Sequence, residues 1–398
     1  MDALYTPWHE TGRLLLKAGK ATEAAAYLVK PPADMPDASK AMRDLLLIHV
    51  FLLQGKKKEA QSLYERLLWS SHTPHDLRDR IRTMSSYFLH VWRPRVHDLR
   101  THEALPDTHT PCGGSIAVLA DGSLGVLVRV LNVMYTATPP DTKPTLKQTG
   151  DRWKRYVNTL YWIQLDTTLR TLLSYPMHDR ARVPRANDAF VGYEDPRLFL
   201  WDGHPWMSAT SYQLYRSGKA HTVLCGLDDD HVTSCVPLQC PDMNSEQKHW
   251  LPWVHAHTPH FLYSCAPWTV LRLDDRMSGA TSVVAQKTIA RWPTNGSVRG
   301  AAGPVPYLDG YLAILAYTDV VNDTEHVSYH YVRISKDLMP VALSSRWNLW
   351  EPELETIQGL AIQGEYLYLV YGHQQKELRS TRFLTSLITS VLQWVYIK

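Results

Sequence analysis

Five stretches of the chain share one design, two short β-rich runs joined by a glycine or polar turn, and this recurrence limits the fold more than any other feature. They are SIAVLADGSLGVLVRV, RLFLWDGHPWMSATS, HFLYSCAPWTVLRL, PVPYLDGYLAILAYT and LAIQGEYLYLVYG, beginning near residues 115, 197, 260, 305 and 360. Each alternates apolar and polar residues on either side of a turn, the pattern of a hairpin. Further strand-like runs, among them HTVLCGL, HVTSCVPL, TSVVAQKTI and VSYHYVRIS, lie between them. Recurring small sheets predict a mainly β fold, a five-bladed β-propeller in which each repeat is a blade and the innermost strands line a channel. A two-sheet sandwich needs the same strands but gives no reason for five recurrences.

The text ahead of these repeats is different. HETGRLLLKAGKATEAAAYLV and RDLLLIHVFLLQGKKKEAQSLYERLLW place apolar residues three and four apart, and each carries G-x-x-x-E-A, at Gly19 to Ala24 and Gly55 to Ala60. That spacing predicts helical hairpins, with LRDRIRTMSSYFLHVW as a further helix. The expected organisation is an α-helical, TPR-like domain with its linker over residues 1–105, then a catalytic propeller over 106–398. No apolar run is long enough for a membrane span. The five cysteines form no zinc-type pairs, so they are expected to be reduced thiols in a cytoplasmic protein. With 14 Trp and 21 Tyr against 6 Phe, the aromatic residues favour rings with a polar tip, suited to flat polar ligands such as sugars or bases.

The residues able to carry chemistry stand just ahead of strands. GYEDPRLFLWDG, Gly192 to Gly203, sets Glu194, Asp195 and Arg197 around a proline that cannot continue a ladder. At the inner end of a blade, Asp195 would exchange a proton with a substrate hydroxyl while Arg197 orients it or binds an anion. SEQKHWLPWVH repeats the plan, offering Lys248 to a phosphate, His249 beside it and Trp250 as an apolar wall. Arg129 interrupts the apolar strand LVRVLNVMYT, with Asn132 three residues on, and so meets a carboxylate or a ligand. SVRGAAGPVPYLDGYL brings Arg299 and glycine-rich backbone donors, and Glu355 precedes the last hairpin. Asp228-x-Asp230 in LDDDHV reads as an acidic turn before it reads as a metal site, and His255 with His257 lacks a nearby carboxylate, so no metal or other cofactor is expected.

The order G-x-E-D-P-R, K-x-W-x-P and G-P-x-P-x-x-x-G-Y-L resembles the five-bladed propellers of the β-mannoside phosphorylase family, glycoside hydrolase family 130, to which certain mannosyltransferases are related. Over roughly residues 40–380 the chain also resembles bacterial and viral proteins that place a helical domain before such a propeller and are regarded as glycosyltransferases. The resemblance makes Asp195 the catalytic acid, Arg129 a sugar-binding residue and Lys248 a phosphate-holding one. The chain departs from the family at Gly113-Gly114, where the family has Asn-Pro, and in having no arginine between Arg216 and Arg272 to hold inorganic phosphate.

Those departures disfavour phosphorolysis, and a hydrolase by inversion needs a second carboxylate. The expected activity is therefore an inverting glycosyltransferase using a nucleotide sugar, with Asp195 as base and Lys248, Arg197 and Arg299 facing the donor phosphates. Its acceptor would be a glycan or a hydroxymethylated DNA base, the latter suggested by Arg78, Arg80, Arg82, Arg93, Arg95, Arg100, Arg180, Arg182 and Arg185. The alternatives are a glycoside phosphorylase or hydrolase acting on β-mannoside-like oligosaccharides, and a non-catalytic binding propeller.

Overall fold

The computed structural model of the protein describes residues 11–12, 15, 20–30, 35, 37–54, 56, 59–60, 62–63, 67, 97–99, 109–132, 134–135, 146–147, 156–181, 190–214, 219–243, 245, 247–289, 296–321, 324–344, 346–347, 355–373, 377–386, 388 and 394–397. The chain divides into two units, one of residues 1–94, 346–350 and 389–392, the other of 95–345, 351–388 and 393–398.

In the first unit, α1 (Ala21–Leu28) and α2 (Asp37–Leu53) are joined by Ala24 and Leu28 packing with Leu47 and Val50. Ala24 and Ala60, the closing residues of the two G-x-x-x-E-A copies, are both fully buried. A TPR-like domain is nevertheless not supported. The described residues delimit two helices on a small core, whereas such a domain rests on successive stacked helix pairs. The further helix expected over LRDRIRTMSSYFLHVW lies outside the described residues.

The second unit is a five-bladed β-propeller. It begins with a short strand, β1 (His97–Asp98). Blade one follows as β2 (Thr110–Val118), β3 (Leu124–Leu131), β6 (Tyr156–Leu165) and β7 (Thr171–Pro176), with the hairpin β4 (Met134–Tyr135) and β5 (Leu146–Lys147) inserted after β3. β8 (His178–Asp179) and β9 (Phe190–Val191) are brief edge pieces. Blade two is β10 (Glu194–Trp201), β11 (His204–Ser211), β12 (His221–Asp228) and β13 (His231–Pro237), with β8 added in parallel to β13. Blade three is β14 (Leu251–His255), β15 (Thr258–Cys265), β16 (Trp268–Asp275) and β17 (Ala280–Lys287). Blade four is β18 (Gly296–Tyr307), β19 (Gly310–Val321), β20 (Thr324–Ile334) and β21 (Pro340–Ser344). Blade five is β22 (Glu355–Gln363), β23 (Tyr366–His373) and β24 (Glu377–Leu384). β25 (Trp394–Tyr396) pairs with β21, and β1 pairs with β24 to supply the fourth strand of the fifth sheet.

The ring closes on itself: β2 packs on β10, β10 on β14, β14 on β18, β18 on β22, and β22 back on β2. Strand periodicity explains why each sheet reads so apolar. Successive side chains point to opposite faces, so Val126, Val128 and Val130 of β3 join the core shared with blade five, while Leu127 joins the core shared with blade two. Both faces of a blade are thus buried.

One irregularity recurs near the end at which the innermost strands start. The pairing register skips Cys112 in β2, Asp195 and Pro196 in β10, Ala301 in β18 and Gln358 in β22. Each skip is a bulge, which leaves backbone groups without a ladder partner and re-aims side chains. Four of the five innermost strands therefore carry residues released from the ladder near that end.

Candidate active site

The motif GYEDPR builds one of these bulges. Glu194 pairs with Thr210 and Arg197 with Ser208, leaving Asp195 and Pro196 outside the ladder. Pro196 has no N–H to lose there. Asp195 has a φ of 47° and Gly192 a φ of 88°; at Gly192 a side chain would also overlap the carbonyl of Asn158, so only glycine brings the chain in at this angle. The proline in front of the strand is part of the device that turns Asp195 into the mouth.

Around Asp195 the structure gathers charge from three blades. Arg129 of β3 donates through Nη2 to Glu194 Oε1 at 3.0 Å and lies 3.6 Å from Asp195 Oδ1 through Nη1. Its Nε donates to Asn158 Oδ1 at 2.7 Å, which fixes the fork in place. His249, just ahead of β14, sets Nδ1 3.3 Å from Asp195 Oδ2. Like Asp195, it sits in the left-handed region, with φ 62°. Tyr212 lies between Lys248 and Glu194, hydrogen-bonded to both, with the Lys248 ammonium 5.1 Å from its ring centre.

These contacts set the protonation state. Burial pushes the Asp195 carboxyl upward, yet the hydrogen bond from His249 and the charges of Arg197 and Arg129 outweigh it and hold the group far below the usual carboxylate range. Asp195 is an anion in the resting site. Cys112 lies close by, and burial pushes its thiol up to about 11 although Arg129 pulls the other way. It is therefore a neutral thiol rather than a nucleophile.

Arg197 is placed differently from its expected role. It is only 6% exposed, and its Nη1 donates to the carbonyls of Ala301 and of Gln358, the latter at 2.6 Å. Both acceptors are bulge residues whose carbonyls have left their ladders. Gln358 in turn accepts from Gly114 N through Oε1 at 2.8 Å, and Ser115 Oγ accepts from Leu198 N at 2.8 Å. Arg197 thus ties blades two, four and five, and Gln358 extends the tie to blade one. Beyond it the channel holds a cavity of about 320 Å³, lined by Leu200, Val254, Val305 and Ile362 among others and not by Asp195.

The remaining expected residues fall as follows. Trp250 is 2% exposed, packed on Phe261 and Tyr263 between blades two and three, and leaves no ring face to a ligand. Asn132 accepts from Val157 N at 2.8 Å and so secures the end of β3. Arg299 is exposed, near enough to disfavour the charge on Arg197. Glu355 is the first residue of β22, paired with His373, and its side chain is outside the described residues. Asn158, Tyr212, Gln358 and Ser115 join the site without having been expected. The signal for Gln358 was the glycine that follows it, Gly359, with Gly113-Gly114 opposite; the other three had none.

Asp228 ends β12 and Asp230 is in the hairpin turn that follows, where it pairs with His231 and lies 3.9 Å from His178. His255 bonds Tyr311 Oη at 2.8 Å, and His257 is in the β14–β15 turn. Among the described residues there is no cluster of three His, Cys, Asp or Glu fit to hold a metal ion, and no helix is long and apolar enough to cross a membrane.

No protein-family model and no curated protein sequence matches the chain. Solved structures do. The mannose phosphorylase MPT-4 from Leishmania mexicana, in complex with phosphate ion, superposes with a TM-score of 0.50 at 9% identity, covering 80% of this chain and 96% of that one. The chain shares its five-bladed propeller fold with that phosphorylase. A β-1,2-mannobiose phosphorylase from Listeria innocua gives 0.49 at 11% identity, covering 75% and 99%. A glycoside hydrolase family 130 structure, described for β-1,2 mannosidic linkages in Candida mannan, gives 0.49 at 9%, covering 74% and 94%.

The likeness to the mannose phosphorylase MPT-4 overturns the expectation of a nucleotide-sugar glycosyltransferase, and with it a nucleotide sugar or modified DNA as partner. The site supplies a physical reason. Of the three cations meant to face a donor diphosphate, Arg197 is spent on backbone carbonyls inside the channel wall. The arginines meant to track DNA, Arg180 apart, lie outside the described residues and bear on neither reading.

Proposed function

We propose that the chain cleaves β-mannoside-like oligosaccharides at the mouth around Asp195, passing the sugar to inorganic phosphate. The observation that carries this reading is the carboxylate–imidazole pair there, flanked by cations. Asp195 stands outside its ladder with His249 against one oxygen and Arg129 near the other, and Lys248 lies beside Tyr212 and Glu194. The Lys248 ammonium suits an anionic nucleophile, and a carboxylate with an adjacent imidazole suits proton traffic at a glycosidic oxygen. The fold, shared with a mannose phosphorylase, supports the same class. With no arginine between Arg216 and Arg272, phosphate would be held by few cations and hence weakly.

The test is direct. The purified protein is incubated with β-1,2-mannobiose and other β-mannosides, with and without phosphate, and mannose 1-phosphate and free mannose are measured. Phosphate-dependent release of the sugar phosphate is the expected result. Release of mannose alone makes the protein a hydrolase, and no release in either condition overturns the reading. Asp195→Asn should lower the rate by about 10³-fold or more, a loss typical of removing a group that acts on the proton in the transition state, while leaving the far-ultraviolet circular dichroism unchanged.

A further inference from the structure

The site contains an acid–base pair that the reading above does not use fully. If Asp195 delivered a proton to the leaving oxygen, it would have to be protonated in the resting enzyme. Every charged group facing it opposes that: Arg129 from β3, Arg197 from its own strand and His249 from the segment before β14. His249 is the other member of the pair. Its Nδ1 is held by Asp195 Oδ2 at 3.3 Å, its side chain is 28% exposed, and no hydrogen bond from Nε2 occurs among the described residues. An imidazole fixed through one nitrogen by a buried carboxylate presents its other nitrogen in a defined tautomer and direction.

We propose that His249 is the proton donor to the glycosidic oxygen, and that Asp195 is a positioning residue that acts through it. This rests on the glycoside-cleaving reading of the site. As a hydrogen phosphate oxygen bonds to the anomeric carbon, the electron pair of the breaking C–O bond passes to the leaving oxygen. That oxygen takes the proton from His249 Nε2. The sugar phosphate is formed as its monoanion, and the proton it then releases restores the imidazolium. The Asp195 carboxylate stabilises the charged imidazole throughout and does not change protonation. The groups facing His249 are therefore Asp195 directly, Arg129, Arg197 and Glu194 behind that carboxylate, and Lys248 next to it in the chain.

The backbone suggests two variants that keep the fold. With φ at 62°, His249 occupies a conformation that asparagine tolerates and glycine adopts freely. His249→Asn keeps a donor to Asp195 but has no transferable proton. His249→Gly leaves a gap that free imidazole can enter. Each is assayed with phosphate on β-1,2-mannobiose, whose leaving group needs a proton, and on 2,4-dinitrophenyl β-mannoside, whose leaving group does not.

The expected result for His249→Asn is at least a 100-fold loss on mannobiose and less than a tenfold loss on the aryl glycoside, with the basic limb of the pH–rate profile abolished. Added imidazole should restore at least tenfold of the activity of His249→Gly on mannobiose. Asp195→Asn should show the same contrast between substrates as His249→Asn. The proposal is overturned if the His249 variants lose equally on both substrates, if the basic limb survives in His249→Asn, or if Asp195→Asn alone spares the aryl glycoside, which would make Asp195 the donor. A wild type that cleaves neither substrate overturns the glycoside reading and this proposal together, an outcome distinct from the others.

Discussion

Arg197 shows how a residue can be legible by position and misread by role. Its motif marks it as belonging to the site, yet its guanidinium serves two backbone carbonyls and the Asp195 charge from a buried position. What the carbonyls do is invisible in the letters, because they become acceptors only after two other strands have bulged. Arg197→Met removes the donor and leaves those carbonyls and Asp195 uncompensated. It should destabilise the propeller by about 3–5 kcal/mol in urea unfolding, the cost of breaking a buried charge pair from one side. Arg197→Lys keeps the charge without the fork and should lose less. Trp250 was misread for a related reason: a Trp before a strand looks the same in sequence whether it faces a channel or a neighbouring blade. Asp195 makes the stability pH-dependent. Its folded pKa lies below the unfolded value of 3.8, so its contribution is complete above that value and is lost as pH falls toward the lower folded one. Acid unfolding of Asp195→Asn should therefore be shallower below pH ~4 than that of the wild type.

At the scale of elements, the hairpins were readable because two residues per repeat is a robust period, and the turns at Asp202-Gly203 and at Leu308-Asp309, closed by Gly310, announce themselves. The bulges were not readable as a set. Their only trace is glycine or proline placed early in an innermost strand, at Gly113-Gly114, Pro196, Gly300 and Gly359. Gly113 gives that trace a test. A Cβ there would overlap Gln358 Oε1, so Gly113→Ala must displace the side chain that holds Gly114 N. The expected cost is about 1–3 kcal/mol, from overpacking and one broken buried hydrogen bond. Because Gln358 lends its carbonyl to Arg197, the same variant should also lower glycoside cleavage, measured as kcat with KM little changed.

For the whole molecule, recurrence gave the blade number correctly, and what it could not give was where the ring closes. β1 comes from ahead of the first blade and forms the outer strand of the last, paired at His97 with Ser380 and at Asp98 with Arg379. Nothing in a run such as VHDLR marks it as a strand. The next residue, Leu99, donates its N–H to Leu378 O at 2.9 Å and is 7% exposed, packed with the core of blades five and one. Leu99→Ala should cost about 2–5 kcal/mol and lower the thermal midpoint while leaving one cooperative transition, as expected when every blade leans on two others. The helices form where the period put them, but a TPR-like domain is not supported, since local period specifies a helix and not how many stack.

That closure also decides where the ring bears load. Tension along the chain ahead of His97 falls first on two ladder pairs and one leucine, whereas every other join between blades is a covalent connection running into a sheet of several long strands. A pulling experiment that grips the chain on that side should record an early, low-force event as the seam peels, and the other four sheets should yield only afterwards.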